Sequence, residues 1–343
     1  MSSQPPEVVT CRDVFGRRRE IKLTDRSEFI TPGAVLEQRM VVANDLVLVR
    51  KFVSPAAGRR QPYRYDLLDN EIRAGTRIGQ VFGPRNHPDE LPRLVGYNMD
   101  DDEPFVLLRA YLGEPAAAAA TRLDDGQRRN FQLGLLRALR CTAAAGVVHG
   151  AVGLSAVRWD GRRLQLVDFE SAERAGEPRR AGGDPAIRSP EQRSGRGAVD
   201  VRDDVWGAAL LIRRIELGVL GNGAWPDRTR DPERLRALLD PVLGRPVEER
   251  PFPADLLSRL RADDGGPPFA DPEAGLAAGR ARFDEAERIK RGPGQAALPD
   301  GGPGEPAGRR GGRERRAGRR SRKLFLLLLL VKTMAFAGSA VRR

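Results

Sequence analysis

Two turn residues constrain this chain more than any other feature. Asp160 and Gly161 separate two short runs with strand-like alternation, Ala156–Trp159 and Arg163–Val167. Asp-Gly suits a two-residue turn that needs positive φ at both positions, and that turn matches the twist of an antiparallel strand pair. A β-hairpin is therefore predicted here. Just before it, residues 124–145 carry Phe131, Leu135, Leu136 and Leu139 at helical spacing. Asp124 or Asp125 can cap the start of that helix and Gly146 can end it.

The flanks extend the pattern. From Glu28 to about Arg109 the apolar runs are short and β-like, as in Leu46–Val49 and Phe105–Leu108. Between them, Asp66–Gln80 places Leu68, Ile72 and Ile78 at helical intervals. Strands, one helix and further strands predict a small α+β lobe over about residues 21–112. Helices at 124–145, 204–216 and 253–262 predict a larger, mostly helical lobe over about 113–262. Residues 1–20 are polar and aperiodic, which predicts a loose leader with no apolar run of the signal-peptide kind. Beyond residue 262 Gly and Pro recur, with one short helical stretch at 272–290. Residues 263–323 are predicted to be a largely disordered linker. An apolar segment, 324–343, closes the sequence.

The order of motifs is specific. VVHGAVGLSAV precedes the hairpin and LVDFESA follows it. RSPEQ comes about twenty residues later, and then DDVWGAALLI. Across roughly residues 28–262 this resembles the eukaryotic-type Ser/Thr protein kinases. In that family a long helix, an HRD-type loop, a hairpin, DFG, APE and a helix opening with Asp-x-Trp follow one another. The resemblance implies a bilobal kinase-like fold.

Phosphoryl transfer in that family needs a loop carboxylate, a loop Asn and a second Asp on magnesium, and a lysine held by a glutamate on the nucleotide phosphates. Matched position by position, His149 is the loop histidine and Gly150 stands where Arg is usual. Ala151 stands at the catalytic Asp, Gly153 at the loop lysine and Ala156 at the magnesium Asn. A methyl group or a hydrogen can neither take a proton nor bind a cation. No one-residue slip restores a carboxylate, amide or lysine to HGAVGLSAV.

Other parts persist. Asp168 of DFE matches the magnesium Asp, with Glu170 in place of the family's glycine. Glu191 and Arg250 match a pair that holds the large lobe together, and Asp204 and Trp206 match the helix that anchors the loop. Lys51 is the candidate phosphate-gripping lysine, with Glu71 as its partner. Arg50 competes by one register, and a slip of one residue turns a strand side chain to the opposite face. The segment ahead of this strand has one glycine, Gly33, where the family has a glycine-rich loop. The expectation is a pseudokinase that works as a signalling or scaffolding module through protein partners on its larger lobe, with ATP and magnesium as the implied ligands if any bind. The alternative is a divergent ATP-dependent protein kinase or small-molecule phosphotransferase. The latter have HGD and DWE-like motifs, but Ala151 removes the HGD aspartate as well.

Charge separates body from tail. The net charge is +12. Residues 309–343 hold 12 basic residues and one acid, which leaves the other 308 residues near neutrality. Only five of the basic residues are Lys; the other 54 are Arg. The tail suits an anionic membrane surface better than nucleic acid, because nine basic residues at 309–323 run into Leu324–Val331. Lys332 interrupts the apolar run, at a cost of ~3 kcal/mol against ~0.5 returned by each Leu or Phe. A membrane anchor or surface segment and an unstructured tail are both open readings. The two cysteines, Cys11 and Cys141, have no metal-ligand spacing, and a reducing, cytoplasmic setting is the simplest expectation.

Overall fold

The computed structural model of the chain describes residues 6–28, 34–218, 227–260 and Ala281. Apart from Ala281, the expected linker at 263–323 and the apolar segment at 324–343 lie outside the described residues, as does Gly33. Among the described residues, no helix is long and apolar enough to cross a membrane.

The N-terminal region is β-rich. Strands β1 (Glu7–Arg12), β2 (Arg18–Glu28), β3 (Glu37–Ala43), β4 (Leu46–Phe52), β5 (Leu94–Asn98) and β6 (Phe105–Arg109) close into a barrel in the order β1-β2-β3-β4-β6-β5. Period-two alternation turns one set of side chains inward. Val9, Cys11, Leu23, Val41, Ala43, Leu48, Phe52, Phe105 and Leu107 form that interior. The expected loose leader is corrected here, since residues 7–12 and 18–20 are paired barrel strand. Polar residues hid the pattern because only every second residue of β1 and β2 faces the core.

Two helices, not one, sit between β4 and β5. The short α1 (Pro55–Arg60) starts at Ser54, whose Oγ accepts the Ala57 N–H. The longer α2 (Tyr63–Phe82) outruns the expected Asp66–Gln80 at both ends. Leu68 and Ile72 of α2 pack with Leu36, Val53, Leu94, Val106 and Leu108, the outward-facing set of the barrel wall.

Residues 110–113 connect β6 to the two-residue strand β7 (Glu114–Pro115), and the rest of the described chain is mainly helical. After α3 (Ala116–Ala119), α4 (Asp125–Ala144) begins in a capping box. Asp124 accepts the Gln127 N–H, and the Gln127 side chain accepts the Asp124 N–H. Strand β8 (Val147–Val148) leads into the loop, and the predicted hairpin is present as β9 (Val157–Trp159) and β10 (Leu164–Leu166), but its turn spans the four residues 160–163, with positive φ at Gly161 and not at Asp160. Strand β11 (Glu173–Arg174) pairs with β8. The remaining helices are α5 (Pro190–Ser194), α6 (Asp203–Leu217), α7 (Glu233–Leu239) and α8 (Pro253–Arg259). Phe131, Leu135, Leu136 and Leu139 of α4 bury fully against Val205 and Ile212 of α6 and Leu257 of α8. Each such side chain contributes ~2 kcal/mol relative to exposure. Both cysteines are free and buried.

Candidate functional site

Strand register decides between Arg50 and Lys51. Arg50 pairs with Arg39 and Leu107, and Lys51 with Gln38 and Val106. Arg50 therefore shares the inward side of β4 with Leu48 and Phe52. Its guanidinium donates to Glu7 (2.9 Å) and Glu103 (3.2 Å) and lies 4.6 Å from the centre of the Phe105 ring. Lys51 leaves on the other side, toward α2, and is fully buried.

The Lys51 ammonium donates to three carboxylates: Glu71 Oε2 at 2.9 Å, Asp168 Oδ1 at 2.6 Å and Glu170 Oε1 at 3.2 Å. An ammonium has three N–H donors, so this set uses them all. Burial alone would lower the Lys51 pKa, but Asp168 and Glu71 outweigh it and hold the value well above the ordinary range. Burial raises Glu71 to about 7 against the pull of Lys51. Burial would also raise Asp168, but Lys51 and then Arg158 keep it below the usual carboxylate value.

Asp168 follows β10 in the left-handed region, φ 64° and ψ 63°, which few residues other than glycine occupy. The single turn Phe169–Ser171 then packs Phe169 edge-on against His149, ring centres 4.6 Å apart. Asn70 of α2 donates to the Glu170 carbonyl at 3.0 Å, which ties this turn to the helix that carries Glu71.

The loop before the hairpin is pinned through its backbone. Asp204, at the start of α6, accepts the N–H groups of His149 (2.6 Å) and Gly150 (2.8 Å). His149 Nδ1 accepts the Ala151 N–H (3.2 Å), so Nε2 carries the proton and donates to the Val167 carbonyl (2.9 Å). Burial keeps the ring neutral and lowers its pKa to about 4. Gly150 has φ +76°, and a Cβ there would stand 2.6 Å from the Ser171 carbonyl oxygen. The local backbone thus has no room for the Arg that the family resemblance leads one to expect. Ala151 is partly exposed on this loop, Gly153 is buried beside Ile187, and Ala156 is buried at the foot of β9. None of the three brings a polar side chain to the site.

The structural pair is assembled. Arg250 is buried and grips both Glu191 oxygens at 2.7 and 2.8 Å, with its guanidinium 5.0 Å from the Trp206 ring centre. Beside it Arg179 and Ser189 both donate to Asp203.

Sequence reasoning missed Tyr111 and Arg158. Tyr111 lies in the connection after β6 and packs against the apolar cluster of Leu36, Val53 and Val106. Its hydroxyl donates to Asp168 Oδ1 at 3.3 Å. Arg158 projects from β9 with its guanidinium 5.2 Å from the Tyr111 ring centre. A sequence signal for Arg158 did exist, as an arginine inside an otherwise apolar hairpin strand. Nothing in the sequence marks Tyr111.

The kinase-like arrangement makes ATP with magnesium the ligand class to consider. Lys51, Glu71 and Asp168 are brought together, but the side chains as they stand do not fit that ligand. Every Lys51 donor is engaged, Asp168 Oδ1 accepts from both Lys51 and Tyr111, and Ala156 offers no metal ligand.

No protein-family model matches the chain, and no curated protein does. Solved structures match in number, 1934 chains in all. One is the Cydia pomonella granulovirus kinase PK-1, with 14% sequence identity and a TM-score of 0.54 over 68% of this chain and 92% of that one. Identity this low shows the fold alone. The chain has a protein-kinase-like fold of mixed α and β structure with a β-rich N-terminal region.

Proposed function

We propose that this chain is a pseudokinase, a kinase-like module that signals or scaffolds by binding protein partners through its helical region. One observation carries the reading. The loop His149–Ala156 is held in place by Asp204 while Ala151, Gly153 and Ala156 supply no base, lysine or metal ligand. The supports around it, Glu191–Arg250 and the buried His149, are intact. Phosphoryl transfer rests on positioning and charge, and the missing groups are the ones that position the attacking hydroxyl and the metal.

The test is an assay for phosphate transfer from ATP with magnesium, to itself and to generic protein substrates. The expected result is no turnover above a sample carrying Asp168→Ala. Turnover that Asp168→Ala abolishes would refute the proposal.

A divergent phosphotransferase is the second reading, favoured by the contact of Lys51 with both Glu71 and Asp168. The charge of the tail adds a further proposal, that residues 309–343 hold a cytoplasmic module at an anionic membrane surface. Cosedimentation with phosphatidylserine vesicles should be lost on deleting 309–343. Binding unchanged by that deletion would remove the tail from the account.

A further inference from the structure

The side chains that meet around Lys51 come from four separate stretches of chain, and together they form a closed set. Lys51 comes from β4, Glu71 from α2, Asp168 and Glu170 from the turn after β10, and Tyr111 from the connection after β6. Glu170 makes the third contact on the ammonium, in addition to the glutamate and aspartate that the kinase resemblance implies. Tyr111 adds its ring beneath the barrel wall and its hydroxyl on Asp168. The Arg158 guanidinium stands over that ring, 5.2 Å from its centre. Gly113 fixes the approach of this connection to β9. It has φ +63°, and a Cβ there would lie 2.2 Å from the Trp159 carbonyl oxygen, so residues 111–113 press against the strand that carries Arg158.

Charge points the same way. Three carboxylates face one ammonium and one guanidinium, so the cluster carries about one net negative charge when all are ionised. An incoming polyphosphate would have to displace Glu170 from Lys51 and would enter a field of its own sign. A planar base would have to displace the stacked Tyr111 and Arg158.

We propose that the site is self-liganded: Glu170 occupies the phosphate-binding donor of Lys51, and the Tyr111–Arg158 stack occupies the space beside Asp168, so that the wild-type chain excludes adenine nucleotides. This rests on reading Lys51 and Asp168 as the nucleotide site of the kinase-like fold. It goes beyond the loss of catalysis, because a chain can lack turnover and still bind ATP. Glu170, Tyr111 and Arg158 are then the residues that set what the site accepts.

The experiment is a calorimetric titration of the full-length chain with the non-hydrolysable analogue AMP-PNP and magnesium, for wild type, Tyr111→Phe, Tyr111→Ala, Glu170→Gly and Tyr111→Ala/Glu170→Gly. Melting curves without ligand establish which variants are folded. Wild type and Tyr111→Phe, which keeps the ring, should show no saturable binding. Glu170→Gly should bind measurably, and the double variant at least ~10-fold more tightly than either single change. If wild type binds as tightly as the double variant, the proposal is overturned. It is equally overturned if the folded double variant does not bind. Should Tyr111→Ala fail to fold, Glu170→Gly carries the test alone, and a folded Glu170→Gly that behaves as wild type sinks the idea. Binding without turnover in wild type would overturn self-liganding while leaving the pseudokinase reading in place. Turnover of ATP in the phosphate-transfer assay would overturn both readings, since it requires bound nucleotide.

Discussion

Arg250 shows how much can rest on one side chain. It is 2% exposed, holds both Glu191 oxygens, donates through Nε to the Arg245 carbonyl and lies over Trp206. Removing one partner of such a pair leaves the other uncompensated. Arg250→Ala is expected to cost about 3 kcal/mol, read as a lower urea midpoint at unchanged slope. Arg250→Lys should recover only part of the loss, because one ammonium cannot reach Glu191, as Nη2 does, while also reaching the Arg245 carbonyl, as Nε does, and lying flat over Trp206. His149 predicts a pH dependence. Its folded pKa of about 4 lies below the 6.5 of the free side chain. Between those values the unfolded chain binds a proton that the folded chain does not. The contribution of the neutral ring is complete above pH 6.5 and falls away as the pH drops toward 4, by about 3 kcal/mol at most. Asp204, raised by burial to about 7, acts in the opposite sense over an overlapping range. The His149 effect is therefore seen by difference. Urea midpoints of His149→Gln should fall less between pH 6.5 and 4 than those of wild type, and parallel curves would count against a buried neutral ring.

At the scale of elements, the first strand and the central helix make contrasting cases. Strand β1 pairs along its length with β2 and, at Arg12–Tyr97, with β5, and it buries Val9 and Cys11 in the barrel. Deleting residues 1–13 would leave two unpaired edges and an open apolar interior. The truncated chain should melt several degrees lower and bind a hydrophobic dye, whereas a dispensable leader would leave both readings unchanged. Helix α4 depends on its cap. Asp124→Ala should cost ~1 kcal/mol, and Asp124→Asn much less, since the amide oxygen can still accept the Gln127 N–H. A thermal melt comparing the three proteins decides this.

For the whole molecule, the proposed lack of catalysis is expected to be distributed over several positions. Ala151→Asp alone should give no phosphate transfer, because Gly153, Ala156 and the saturated Lys51 would remain. Activity from that single change would show that one missing carboxylate was the whole defect. The chain's own residues dictated the local elements: Asp124 and Gln127 cap α4, Asp160-Gly161 turns the hairpin, and the spacing of Leu68 and Ile72 makes α2 amphipathic. They also named Lys51, Glu71, Asp168, Glu191 and Arg250 as candidates, because those side-chain chemistries stand in a recognisable order. Contacts between residues far apart in the chain were not legible. The choice of Lys51 over Arg50 needed the pairing of β4 with β3 and β6, since a strand alone has two equivalent faces. Strand β1 was hidden because polar residues alternate with its two buried ones. Tyr111 lies 57 residues from Asp168 along the chain and carries no local pattern that would join them. Short-range preferences act over a few residues, whereas burial and charge pairing act through space. The sequence by itself determined α2, α4 and the hairpin and which groups the loop lacks, because those rest on local spacing and side-chain chemistry, and only the tertiary fold decided how β1 closes the barrel and which of the remaining groups surround Lys51.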